Sequence, residues 1–314
     1  GDAGVTVSKQ APLPVTTGNS YSASGALWAA HAAMRKLGVA RVDDDGTIHG
    51  KAMVVGASGA IGSVCARLLA LVSDELWLVS PETAKLLALK HAIERENPRA
   101  TVHVATNPSD ALPEMDVIVT ATSAAGNKVL DIMKVKPGCV ITDVARPLDM
   151  SAEDVAKRPD VLVIESGEIE LPGDVHMRNI GLPDGVAYAC LAETVVLALE
   201  GHYEVFTVGR NIEWPKVKEI YRLGLKHGMK LATISGVRGV YTDEDFDRIR
   251  EAALAARAEL GIDTPTLGRD ETPADDASSA ADGTPCPRCG ATGAEACHTP
   301  GGKPRERHAV RSAT

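Results

Sequence analysis

Cys190, Glu193 and Thr194 recur at i, i+3 and i+4 within GLPDGVAYACLAET (residues 181–194), a spacing that sets them on one helix face. Pro183 and Asp184 read as the start of that helix, which puts Cys190 in its first turns. A helix N-terminus favours thiolate, and thiolate is the form of cysteine that attacks a carbonyl carbon. The competing reading is a small buried hydrophobe, the commoner fate of a free cysteine. Glu193 stands among apolar neighbours, where a carboxylate needs a partner.

A second stretch, KAMVVGASGAIGS (residues 51–63), has the order a dinucleotide needs. An apolar strand is followed at once by Gly56, Ser58, Gly59, Ala60, Ile61 and Gly62, and then by apolar residues at helical spacing. Gly56 permits the tight turn, Gly59 lets the backbone approach a pyrophosphate, and Gly62 lets the helix pack close to its strand. The helix N-terminus offers N–H groups to the anion. Beyond the second strand (residues 75–80, ELWLVS), an NAD-specific fold places a carboxylate for the ribose 2′-hydroxyl. Here that strand ends in Ser80-Pro81, with Glu82 close by, Lys85 just beyond and no arginine near. A 2′-phosphate would be unopposed, so NADPH is the expected cofactor. Thr122 and Ser123 follow the fourth strand, and Asp143 and Arg146 the fifth, where ligands of a parallel sheet gather. Each of these could equally do no more than satisfy loop backbone. Thr17 and Asn19, in the small polar run of residues 16–20, either cap the next helix or line the same crevice.

The third chemical signal is in the tail. Cys286 and Cys289 form a C-x-x-C pair, followed by Cys297 and, after Gly301-Gly302, by His308. Three thiols and an imidazole make a tetrahedral Zn2+ set, with His298 a competing fourth ligand. A segment so short would take its folding energy from the metal. Five basic side chains around it (Arg288, Lys303, Arg305, Arg307, Arg311) suit a nucleic acid or an acidic protein partner.

The elements that must position these groups follow from hydrophobic patterning. Apolar runs at 52–55, 75–80, 101–105, 115–120, 139–143 and 161–165 alternate with helical or loop segments. That is the pattern of a Rossmann-like, doubly wound α/β parallel sheet with flanking helices. Residues 1–15 read as an extended entry, and helices are expected at 22–37, 82–96, 215–227 and 242–260, with a short strand at 231–234. The expected organisation is an N-terminal segment and helix (1–50), a nucleotide-binding domain (51–180), a helical segment with Cys190 (181–260), a disordered linker (261–285) and a zinc knuckle (286–311). The chain has 314 residues, 44% of them hydrophobic, and a net charge of −9. A core of useful size is available, and the acidic balance speaks against a nucleic-acid binder as a whole. No apolar run has the length of a membrane span. Six cysteines split between scattered and clustered positions do not make a disulfide framework, so a cytoplasmic location is expected.

TTGNSYSA (residues 16–23), VVGASGAIGS, AYACLAETVVLALEGHY (187–203), VGRN (208–211) and GLKHG (224–228) occur in the order found in the long-chain acyl-[acyl-carrier-protein] reductases, which form fatty aldehydes. The resemblance spans about residues 12–236. The cofactor stretch also resembles, more distantly, those of shikimate dehydrogenase and glutamyl-tRNA reductase. The resemblance implies that Cys190 is the nucleophile and that the glycine turn binds NADPH. Acyl-carrier protein or acyl-CoA would deliver the acyl group, and Thr17, Asn19 and Arg146 would meet the substrate. These reductases carry a further N-terminal region that contributes to the acyl site and is nearly absent here. The tail resembles a short zinc-binding module of actinobacterial and phage proteins. Two other readings stay open: an NADP-dependent dehydrogenase of a small hydroxy acid or ketone, and a non-catalytic nucleotide binder whose tail docks a partner.

Overall fold

Ala52, Met53, Val54 and Val55 are all buried, as residues of a strand paired on both edges and covered on both faces must be. They end strand β2 (Ile48–Val55), which begins as the antiparallel partner of the short β1 (Arg41–Val42). This computed structural model describes residues 2–123, 128–165, 167–177 and 180–264, and the backbone of 297–298 and 304–305. On one side of β2 lie β3 (Ser73–Val79) and β4 (Thr101–Ala105); on the other lie β5 (Val117–Thr120), β6 (Val140–Asp143) and β7 (Leu162–Glu165). All are parallel, in the order β4-β3-β2-β5-β6-β7. The chain works outward from β2 in one direction, then returns to β5 and works outward in the other. A crevice opens beyond the strand ends where the order reverses. The sheet is Rossmann-like, as its patterning predicts.

Side chains alternate across the sheet with the period of two that a pleated strand imposes. Ala52, Val54, Leu76, Leu78, Val117 and Val119 face one core, shared with helices α2 (Asn19–Leu37), α3 (Ala60–Leu69) and α4 (Thr83–Glu96). Met53, Val55, Ile118, Ile141 and Val163 face the other. That second face is covered by less regular structure: two single-turn 3₁₀ helices (Leu112–Glu114 and Ile132–Lys134) and the short α5 (Ala152–Ala156). Five buried alanines of α2 (Ala23, Ala26, Ala29, Ala30, Ala33) explain how so long a helix lies against its neighbours. Small side chains bring backbones close.

A second, three-stranded antiparallel sheet holds β8 (Glu168–Glu170) between β9 (Val186–Tyr188) and β10 (Lys230–Leu231). From β9 the chain passes directly into α6 (Ala189–Glu200). Helix α7 (Trp214–Lys226), the hairpin of β11 (Ser235–Gly236) and β12 (Gly239–Val240), and α8 (Asp243–Leu260) complete this body. Thr242 caps α8: its hydroxyl accepts from Asp245 N–H at 3.2 Å, and the Asp245 carboxylate accepts from Thr242 N–H at 2.9 Å. Contacts divide the chain near residue 267, and in the C-terminal unit Cys297–His298 pairs antiparallel with Pro304–Arg305.

Three expectations are corrected. The entry segment is not wholly extended, for Val5–Gln10 forms α1. Gly4 turns the chain at φ +83°, and the Asp2 carboxylate accepts from Thr6 N–H at 2.8 Å, supplying a start that the prolines downstream obscured. Pro183 and Asp184 do not begin α6. Gly185 turns the chain at φ +76°, Val186 to Tyr188 pair with β8, and the helix begins at Ala189. The short strand expected at 231–234 lies at Lys230–Leu231 instead, where β8 offers it a partner. Among the described residues no helix is long and apolar enough to cross a membrane.

Candidate active site

The reversal point of the sheet opens into a cleft of about 1450 Å³. Its walls are the glycine turn after β2, the ends of β3, β5 and β6, and the starts of α2 and α6. Gly56, Ser58, Gly59, Ala60 and Ile61 line it. Gly56 has φ +86°, and a Cβ there would lie 2.5 Å from the Ala121 carbonyl oxygen, so the turn requires glycine on both counts. Gly62 does not face the cleft. A Cβ on it would lie 2.3 Å from the Gly56 oxygen, so it serves the packing of α3 on the turn. Helix α3 begins after Gly59 without a side-chain cap, which leaves its first N–H groups to an anion.

Cys190 lines the same cleft and is exposed, as the second residue of α6. The shift of the helix start from 183 to 189 brings the thiol to the very end of the helix, closer to the unpaired N–H groups than the sequence implied. Against it packs Gly18, the residue before α2, at φ +74°. A Cβ on Gly18 would lie 2.3 Å from Cys190 Cα and 2.5 Å from Cys190 Cβ. Two helix N-termini therefore abut at the thiol.

Glu193 holds them together. It is fully buried, and its carboxylate accepts from the Thr16 hydroxyl and, at 2.8 Å, from the Tyr21 N–H in the first turn of α2. Thr207 N–H donates to Thr16 Oγ1 at 3.2 Å, and the Ser20 and Thr207 hydroxyls are 2.6 Å apart. Burial pushes the Glu193 carboxyl above its ordinary range, and hydrogen bonds from Thr16, the Tyr21 N–H, Thr207 and the Gly18 N–H oppose that. Glu193 does not line the cleft. From this place it positions the 16–21 turn. Of the two roles the sequence left open for residues 16–20, the structure shows the lining of the crevice, for α2 starts after Gly18 without a side-chain cap. Thr17 and Asn19 face the cleft, while Thr16 and Ser20 face inward.

Other expected residues divide in the same way. Ser80, Thr122, Ser123 and Arg146 line the cleft. Asp143 does not. It is buried and accepts from Thr120 Oγ1 at 3.0 Å, Ala145 N–H at 3.1 Å and Met150 N–H at 2.9 Å, so it shapes the loop after β6. Burial raises its carboxyl. Cys65 and Cys139 are buried, and burial pushes the Cys65 thiol up to about 12 and raises that of Cys139.

At the end of β3 a carboxylate stands against the glycine turn. Glu82 sits two residues past Ser80, and its carboxylate accepts from Ser58 Oγ of the glycine turn at 2.7 Å. Ser58 and Ser80 hydroxyls are 2.7 Å apart, and Lys85 pairs with Glu82 from the first turn of α4. Arg210, distant in sequence, also lines the cleft. Hydrogen bonds from Lys85 and Ser58, helped by the positive charges of Lys85 and Arg210, hold the Glu82 carboxyl below its ordinary range. The sequence showed Glu82 beside the strand end but not its bond to the glycine turn, and it left Arg210 unplaced because only folding brings it there. Asn211 and Tyr188 also line the cleft unforeseen; VGRN was quoted for its resemblance, without a place.

Of the metal set, Cys286, Cys289 and His308 and the side chain of Cys297 lie outside the described residues, as does all but the first few residues of the 261–285 linker. Among the described residues no group of three or more His, Cys, Asp or Glu could hold a metal ion.

No family model matches the chain. Over 233 residues it is 31% identical to the aminotransferase PigE of a Serratia species, covering 73% of this chain and 26% of that protein. Over 225 residues it is 28% identical to the long-chain acyl-[acyl-carrier-protein] reductase of Synechococcus elongatus, covering 68% of this chain and 61% of that protein. The chain thus spans about a quarter of one relative's length and about three-fifths of the other's. Among solved structures it is similar to quinate dehydrogenase from Corynebacterium glutamicum in complex with NAD, with TM-score 0.38 and 16% identity over 74% of this chain and 62% of that one. It is also similar to the Δ1-pyrroline-2-carboxylate reductase of Thermococcus litoralis, with TM-score 0.34 and 12% identity over 75% and 65%.

Proposed function

We propose that the chain is a nicotinamide-dependent oxidoreductase that reduces an acyl thioester to an aldehyde through an acyl group carried on Cys190. The observation that carries this reading is a single cleft bordered by both a glycine turn of dinucleotide type and an exposed thiol at a helix start. A dinucleotide fits the residues present. Gly56 and Gly59 give backbone access, and the uncapped start of α3 suits a pyrophosphate.

The chain's own residues would act as follows. Cys190 sulfur bonds to the acyl carbon, and the carrier leaves as its thiol. The acyl oxygen gains negative charge during the attack, and N–H groups in the first turn of α6 would donate to it. When bound, the dinucleotide supplies the hydride that takes the acyl-enzyme to a hemithioacetal, whose collapse releases aldehyde and frees the thiol. Glu193 keeps the 16–21 turn against Cys190, and Thr17, Asn19 and Arg146, which line the cleft, would meet the substrate. Acyl-carrier protein or acyl-CoA is the proposed donor, in keeping with the relative from Synechococcus elongatus. The hydroxy-acid alternative needs a lysine paired with an aspartate beside the reacting carbon. Among the described residues the lysine on the cleft is Lys85, and it pairs with Glu82 at the glycine turn.

The test is thioester-dependent oxidation of reduced dinucleotide, with the aldehyde trapped as a hydrazone. Cys190→Ala is expected to abolish it while leaving dinucleotide binding intact. Unchanged turnover in that variant overturns the proposal.

A further inference from the structure

We propose that the cleft selects the unphosphorylated dinucleotide, NAD(H), over its 2′-phosphorylated form, and that Glu82 is the selecting residue. This rests on the reading of the cleft as a dinucleotide site and goes beyond it in naming the cofactor.

In a parallel sheet of this winding, the adenosine ribose lies at the end of the strand that follows the glycine helix, here β3. The last residue of β3 is Val79; Ser80 is buried, and Glu82 is the first carboxylate beyond it. Its position is set by three contacts rather than by chance exposure. Ser58 Oγ donates to Glu82 Oε2 at 2.7 Å, Lys85 Nζ pairs with Oε1, and the Glu82 N–H donates to Ser80 Oγ at 3.2 Å. The first contact ties the negative charge to the phosphate-binding turn itself. A vicinal diol carries two donors and no charge, which suits an ionised carboxylate at this place. A ribose 2′-phosphate would bring a charge of about −1.5 to −2 against it, by analogy with other phosphate monoesters.

Lys85 of α4 pairs with this carboxylate, and Arg210, from the segment that follows α6, lines the same cleft. They are the elements a 2′-phosphate would use. Lys85 is already paired with Glu82, so a phosphate would have to displace one anion from that cation while standing beside it. Removing the carboxylate should therefore turn the site from one preference toward the other, because Lys85 would then lack this anion.

The experiment is direct binding, read by the fluorescence of NADH and NADPH titrated into the full chain, with no substrate present. The wild-type chain is expected to bind NADH at least tenfold more tightly than NADPH. In Glu82→Ser that ratio should fall at least tenfold, with tighter NADPH binding as part of the change. Glu82 is exposed, so the variant should fold; unchanged thermal unfolding of the variant checks this. Tighter NADPH binding by the wild-type chain, or a ratio unmoved in the variant, overturns the inference and leaves the thioester reading standing. Failure of both dinucleotides to bind overturns both. Binding of NADH with the expected ratio but no thioester turnover supports the selection by Glu82 and counts against the thioester reading alone.

Discussion

Glu193 decides where the thiol stands, although it does not face the cleft. Its carboxylate receives N–H and O–H groups from the turn before α2, so its loss leaves buried donors without an acceptor. Such a loss costs about 1–3 kcal/mol. Glu193→Ala is expected to lower stability by that amount in urea unfolding and to cut thioester turnover. Glu193→Gln keeps one acceptor oxygen and should recover part of both. The pH dependence has a definite sign. Because burial raises this carboxyl in the folded state, the folded chain binds more protons than the unfolded one. The stabilising contribution is present below the ordinary glutamate range and is lost as pH rises through the raised value. The stability difference between wild type and Glu193→Gln should therefore change in favour of Gln as pH rises through that window. Gly18 makes a second residue-scale prediction. Gly18→Ala meets both a left-handed backbone and a contact of 2.3 Å with Cys190, so thioester turnover should fall at least tenfold, with NADH binding retained.

At the scale of elements, the sequence showed a good deal. The six parallel strands and the starts of α3 and α8 were legible from apolar runs, glycine spacing and a Thr cap, all local signals. The start of α6 was not, because Pro183 and Asp184 look like a cap until β8 arrives to pair with Val186–Tyr188. Asp143 was placed at a strand end correctly, yet its side chain turns into the loop, which no spacing reveals. Helix α8 shows the same limit. Nothing in its spacing marks one arginine from another, but Arg257 is buried and donates to the Pro137 carbonyl at 2.9 Å, near Asp116 at 3.5 Å. Lys136 Nζ meets the same Asp116 at 2.6 Å, binding the helix to the far end of the sheet from the cleft. Breaking such a buried pair costs about 3–5 kcal/mol. Arg257→Ala is expected to lower the denaturation midpoint by that measure and to leave the ratio of NADH to NADPH affinity unchanged.

At the scale of the whole chain, the described residues between 2 and 264 form one body, in which a cleft shares its walls between the glycine turn and the start of α6. The carboxyl-terminal cysteines are a separate matter, and the sequence assigns them to zinc by spacing alone. Metal analysis of the purified chain should find about one zinc per molecule, lost on chelation together with no more than a small change in dinucleotide affinity. Of the cysteines in the described body, Cys65 and Cys139 are buried with raised thiols and Cys190 is exposed. Acylation should discriminate among them sharply. Mass spectrometry of the intact chain after brief exposure to acyl-CoA, without dinucleotide, is the most direct measurement of the central claim. The account predicts one acyl adduct, mapped by peptide digestion to Cys190 and absent in Cys190→Ala. An unmodified chain, or an adduct that survives in Cys190→Ala, would contradict it.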